Sequence, residues 1–394
     1  MITESAIQQL KSSVRGHTFC ASDPGYDDAR TVPNAMIDRR PAFIARCAGA
    51  ADVLACVRIA REHDIVVSIR GGGHSVAGKA VCDGGLMIDM SAMKGIRVDP
   101  AKRTVRTQTG LKLGEFDRET QAFGLATTQG VVPTVGIAGL TLGGGWGQLH
   151  GKYGLAIDNV IGADVVTADG RLLTANASEN QDLFRGIRGG SGNFGVVTSI
   201  EYCLHEVGPI YGGAIFFPAA KANEILPLWR EFCEQSPDEL VNQATSATLE
   251  GTPVFGLAAC YCGPVAYGKK LLQPLRKFAA PVADMLGPMT YLQIQSMVEP
   301  FFPPGRLVYT KSNFLRTLSD DAIETLAQYV GKSPSLHLRS IRRTLARRCH
   351  SRCPRRYRFP SPSVFLELLC LVHVDRSGRL GEKYQLDTRM LGSP

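Results

Sequence analysis

No stretch of this 394-residue chain is apolar over the length needed to cross a bilayer. Its first residues, MITESAIQQLKSSVRG, lack the apolar core of a secretory signal. These two absences exclude a helical membrane protein and point to a soluble, cytoplasmic one. A metal framework is missing too. Eleven cysteines are scattered through the sequence, an odd number, and Cys349 and Cys353 have no second pair at zinc-site spacing. The expectation is buried free thiols and no metal. Acidic residues are absent from 339–358, which hold nine arginines. Set against the overall +8, that leaves −1 on everything else, so the folded part carries no field suited to nucleic acid.

Glycine is plentiful, with 42 residues, and two clusters stand out. The β-branched run Ile65-Val66-Val67-Ser68-Ile69 reads as a buried strand and breaks on Arg70-Gly71-Gly72-Gly73-His74-Ser75-Val76-Ala77-Gly78. A glycine turn brings backbone close to a ligand, and its exposed N–H groups can cradle phosphate oxygens, with Arg70 alongside as a cation. Taken alone, GGGH reads equally well as a tight turn with a solvent-facing histidine. About 60 residues on, the segment from Pro133 to Asn159 carries glycines at 136, 139, 143, 144, 145, 147, 151 and 154 among Ile, Leu and Trp. So many glycines argue against a helix, and the apolar residues argue against a linker. Backbone packed against a large flat ligand is the reading that fits both.

The chain length suggests about two or three domains. Residues 1–35 read as an arm with a short helix. From Pro41 the order is strand (Phe43–Cys47), helix (Ala51–His63), strand, glycine loop and strand (Leu86–Met90). A hairpin turning at Asp99-Pro100, a helix over Leu111–Phe123 closed by Gly124, and a hairpin at Asp169-Gly170 follow. Ser178 to Gln181 has capping-box spacing before the next helix. Gly190-Ser-Gly-Asn-Phe-Gly195 matches the dinucleotide string G-x-G-x-x-G, but a helix precedes it and the strand-like Val196–Tyr202 follows. That order is the reverse of a Rossmann site. Gly208-Pro209 marks a boundary. Beyond it, helices over Ala222–Cys233, Tyr267–Phe278 and Asp320–Tyr329 alternate with strands Val254–Cys262 and Leu307–Phe314, an α+β domain with helices over an antiparallel sheet. Tyr291, Gln293, Tyr309 and Lys311 are candidates for a cleft there.

RGGGHSVAG, GLATTQGVVPTVGIAGLTLGGGWGQLHGKYGLAIDNV and DLFRGIRGGSGNFGVVTSIEY, in that order, resemble the FAD-linked oxidases of the berberine-bridge-enzyme-like group, within the vanillyl-alcohol-oxidase or PCMH-type flavoprotein superfamily. The match is close over residues 36–207 and looser over 208–338. The fold it implies is α+β: a two-subdomain PCMH-type FAD-binding domain, then a substrate domain. The resemblance implies that His74 bonds covalently to the flavin 8α-methyl group and that Arg70, Gly71, Gly72, Gly73, His74 and Ser75 form the pyrophosphate loop. A second attachment through cysteine falls on Val132 here, which implies one covalent bond rather than two. Val135 matches a site over the flavin where a small side chain goes with oxygen access. Gly78, Thr134, Gly136, Gly139, Gly143, Gly144 and Val197 complete the implied FAD contacts, while His150 reads as structural. The implied activity is oxidation of an alcohol-type carbon in a small molecule, by hydride transfer to flavin N5 with O2 as acceptor. No catalytic residue is assigned.

After Leu338 the composition shifts to twelve Arg against one Lys. The expectation is that 339–394 is an aberrant tail from a shifted reading frame, outside any folded domain, and the other two frames of the coding DNA test it. A basic tail binding phosphates is the competing reading. With the family's carboxy-terminal lobe unmatched, a flavin-binding remnant without turnover is the alternative function.

Overall fold

A computed structural model describes residues 2–315, 317–330, 339–345 and 364–373. The first layer is a four-stranded sheet in the order His17–Cys20, Phe43–Arg46, Leu86–Asp89, Val67–Arg70. Its last three strands are parallel. The helix Ala50–Glu62 covers it with Val53, Cys56 and Ala60 buried, one face of a 3.6-residue period. The expected arm is therefore part of this layer: His17–Cys20 is its edge strand, and helix Glu4–Ser13 packs Ala6 and Leu10 into the same core.

The second layer is a five-stranded antiparallel sheet ordered Ile96–Asp99, Thr104–Gln108, Val196–Cys203, Val160–Val166, Leu172–Asn176. Both hairpins read from the sequence are present, with Gly170 at φ +78° in one turn. The helix Leu113–Gln121 packs Leu113 and Phe116 against it. The capping box expected at Ser178 is absent. Asn180 takes the cap position in the left-handed region, and the Ser178 hydroxyl donates to Asn176 Oδ1 at 2.9 Å instead. A local turn has taken the hydroxyl.

The third layer is a larger sheet along the path Ala283–Asp284, Ile210–Pro218, Thr252–Tyr261, Leu240–Leu249, Arg339–Leu345, Val364–His373, Val308–Leu315. Helices Ala222–Gln235 and Asp320–Tyr329 bury Trp229, Ile225 and Ile323 on one face. The helix expected over Tyr267–Phe278 is Val265–Leu271 followed by a 3-10 turn Gln273–Lys277, because Pro274 cannot continue the hydrogen-bond ladder. Two pieces of the arginine-rich tail lie in this sheet. Arg339–Leu345 pairs with Leu240–Leu249, and Val364–His373 pairs with both Arg339–Leu345 and Val308–Leu315. For these segments the expectation of a tail outside any fold is corrected: backbone pairing requires only N–H and C=O groups, which arginine supplies as any residue does. The rest of 339–394 lies outside the described residues.

Candidate cofactor and substrate site

Parallel pairing sets three strand ends side by side, with Asp89 opposite both Arg46 and Arg70. Asp89 is fully buried. It accepts from Arg70 Nη2 at 2.6 Å and Nε at 3.2 Å, from Arg46 Nε at 2.8 Å and from the Ser91 amide at 3.0 Å. Burial pushes its carboxyl up, but the Arg70 charge and these hydrogen bonds outweigh burial and hold it below the usual range. The remaining Arg70 donors go to the carbonyl oxygens of Ala29 and Thr31. This corrects the expected role of Arg70. It is ion-paired within the protein to Asp89, a carboxylate it shares with Arg46, and it fixes the strand end rather than serving the loop as a free cation.

The chain leaves that strand at Gly71 and crosses the second glycine segment at once. A Cβ on Gly72 would stand 2.2 Å from the Gly136 nitrogen, and one on Gly136 would stand 2.2 Å from the Gly72 nitrogen. No side chain fits at either position, so the two backbones touch. Gly73 follows at φ +76°, against Val32 and Pro33. His74 then turns to Thr134, with Nε2 to Oγ1 at 3.2 Å. Burial first, and the nearby Lys112 charge second, lower the His74 pKa and so favour the neutral ring. Ser75 closes the turn, its hydroxyl and carbonyl accepting the amides of Lys79 and Gly78, and Gly78 sits at φ +68° beside Ile37.

The second segment is held by the helix Leu113–Gln121. The amides of Leu113 and Gly114 donate to the carbonyl oxygens of Val135 (2.9 Å) and Pro133 (3.0 Å), serving donors that a helix start leaves free. Val132 is buried beneath the turn and Val135 is half-buried beside the crossing. Contrary to expectation, the segment then forms a helix, Ile137–Leu142. Burial of Ile137, Thr141 and Leu142 overrides the glycine penalty at Gly139. Gly139 and Gly143 lie on the open side of that helix. A Cβ on Gly139 would meet nothing within 4 Å, and one on Gly143 would touch only carbonyl oxygens of its own helix. Gly144, at φ +118°, turns the chain out of it.

Val197 is not brought to this crossing. Its side chain packs in the core of the second layer, and it reaches the loop only through Thr109, whose hydroxyl donates to the Val197 carbonyl at 2.8 Å and whose own carbonyl lies behind Gly71. Of the cleft candidates, Tyr291 is buried in the core and Gln293 is spent capping its own helix at Thr290. Lys311's side chain lies outside the described residues, and Tyr309 lies on the strand Val308–Leu315. His150, read as structural, accepts from Trp146 Nε1 at 3.2 Å and faces the Gly147 carbonyl at 2.7 Å. Sequence reading missed Asn34, which exchanges hydrogen bonds with the Val308 backbone (2.8 and 3.0 Å) and pins the arm to the third layer beside His74. A cavity of about 150 Å³ opens there between Asn34, His74, Val76, Phe302, Arg306 and Thr310. A further cleft lies between Val131 and Gln148 on one side and Gln243, Ala258 and Phe302 on the other.

The descriptor of FAD-binding domains matches residues 41–176, the stretch that contains both glycine segments. A FAD-linked oxidoreductase of Dictyostelium discoideum is 34% identical over 333 residues, spanning 84% of this chain and 72% of that relative. The chain belongs to the FAD-linked oxidoreductases. A second relative, (R)-6-hydroxynicotine oxidase of Paenarthrobacter nicotinovorans, is 40% identical over 195 residues, half of this chain and 43% of that one. Among solved structures, 6-hydroxy-D-nicotine oxidase of Arthrobacter nicotinovorans superposes with a TM-score of 0.82 at 27% identity, covering 96% of this chain and 85% of that one. The berberine-bridge-enzyme-like 1 protein of Physcomitrella patens gives 0.84 at 23% identity, covering 94% and 84%, a likeness of fold. The fold of this FAD-linked oxidoreductase is thus the PCMH-type α+β architecture, and the backbone crossing with its open glycine face suits a flat cofactor. Among its described residues no cluster of metal-ligating side chains occurs, and no helix is long and apolar enough to cross a membrane.

Proposed function

We propose that this oxidoreductase carries FAD attached through His74 alone and oxidises an alcohol-type carbon of a small molecule, with O2 as acceptor. The observation that carries the reading is the His74 ring hydrogen-bonded to Thr134 at the point where the two glycine segments touch. When bound, the flavin accepts hydride at N5 and passes the electrons on. The chain's part is placement. The 71–75 turn would hold the phosphates, the Gly139–Gly143 face leaves room for a ring system, and His74 would carry the attached flavin. Val132 in place of a cysteine fits a single attachment, and Val135 fits oxygen access. The substrate enters between Gln148 and the Gln243 face of the third sheet, whose amides can orient hydroxyl groups. Denaturing the purified protein and following yellow colour on the chain tests the attachment. His74→Ala is expected to release the flavin completely. Colour that stays on the denatured variant overturns the assignment.

A further inference from the structure

We propose that Gln295 is a positioning residue: a substrate-domain amide that holds the Gly130 carbonyl and so sets where Thr134 meets His74. The proposal rests on the flavin reading above for its functional meaning, though not for its geometry. Gln295 is 4% exposed. It lies on the helix Tyr291–Ser296, among Tyr291 and Ile294, where an apolar side chain would pack as well. A buried amide is costly unless its donors are served. Both bonds of its Nε2 run out of the substrate domain. One goes to Asp117 Oδ2 at 2.8 Å and the other to the Gly130 carbonyl at 2.9 Å.

These two partners belong to one assembly. Asp117 stands one turn into the helix whose first amides hold the Pro133 and Val135 carbonyls. Segment 130–135 is therefore held at three carbonyl oxygens. Two are fixed by the helix start and the third by Gln295, itself anchored to the next turn of the same helix. Thr134 lies between the held points, and its hydroxyl is 3.2 Å from His74 Nε2. The seating of the substrate domain is thus transmitted to segment 130–135 through the Gln295 amide, beside the packing contacts that the two domains share.

Amide hydrogen exchange on the full chain, followed by mass spectrometry, tests this. In Gln295→Met, amides 131–136 are expected to exchange at least tenfold faster, while strands Phe43–Arg46 and Leu240–Leu249 keep wild-type rates. Ser296→Ala, a neighbouring exposed position, is expected to match the wild type throughout. Gln295→Leu has no hydrogen-bonding group to give; it serves if the Met variant does not fold, and the same local acceleration is expected. Acceleration spread evenly over the whole chain shows ordinary packing loss and overturns the proposal, as does unchanged exchange at 131–136. On the same samples, the flavin retained by the denatured chain is expected to fall in Gln295→Met and to hold in Ser296→Ala. A colourless wild type counts against the flavin reading alone, because the exchange rates decide Gln295 either way.

Discussion

Gly72 and Gly139 show how the same residue type does opposite things within one site. At Gly72 an added methyl meets backbone atoms of Gly136 at 2.2 and 2.7 Å, and neither strand of the crossing can move without breaking it. Gly72→Ala is expected to destabilise the protein by about 1–3 kcal/mol or more and to abolish flavin uptake. At Gly139 nothing stands within 4 Å, and alanine gains roughly 0.5–1 kcal/mol over glycine inside a helix. Gly139→Ala should therefore raise the melting temperature while lowering flavin content, because the methyl fills the face on which the ring lies. Melting curves together with the ratio of visible to protein absorbance separate the two effects. A Gly139→Ala protein with full flavin content shows that the ring lies elsewhere.

The parallel strand ends carry their own electrostatics. Removing one partner of a buried ion pair leaves the other uncompensated, at a cost of about 3–5 kcal/mol. Asp89→Asn is accordingly expected to lower the denaturation midpoint sharply, since Arg70 keeps its charge inside the protein. The Asp89 pKa is lowered on folding, so its contribution is present above the usual carboxylate range and is lost as pH falls through the folded value. The acid limb of the wild-type stability profile should flatten in Asp89→Asn. Much of this layer was legible. Strand–helix–strand order, both hairpins and the helix Asp320–Tyr329 follow from periodicity and turn residues, which are local signals. Non-local choices were not legible. That Arg70 turns inward depends on the register of Val67–Arg70 against Leu86–Asp89, and the only trace in the sequence is that the strand runs Phe43–Arg46, Val67–Arg70 and Leu86–Asp89 each end on a charge. The glycine-bearing helix Ile137–Leu142 escaped for a related reason, because tertiary burial of Ile137 and Leu142 decides it rather than propensity.

Across the whole molecule, the flavin and substrate domains share a core. Ala126 and Leu149 from the first pack with Val207, Ile210, Tyr291 and Ile294 at the boundary and beyond. A shared core makes the two domains unfold together. Tyr291→Ala, which empties the largest of these positions, is expected to cost about 3–5 kcal/mol and to split one calorimetric transition into two. The same boundary contains Asp117, buried against Gln295, with the Tyr291 phenol as its other titrating neighbour. Burial pushes the Asp117 carboxyl up to about 7, against a smaller opposing effect of the Gln295 hydrogen bond. Because the folded pKa is raised, the folded state holds this proton where the unfolded chain has lost it. Stability from this group is therefore complete below the usual carboxylate range and declines as pH rises towards 7, by roughly 4 kcal/mol in all. That slope is opposite in sign to the one from Asp89. Asp117→Asn keeps an acceptor for Gln295 and has nothing to titrate. Its melting temperature should exceed the wild type's at pH 8 and approach it at pH 5, and parallel curves across that range would show that Asp117 is ionised inside the fold at both ends.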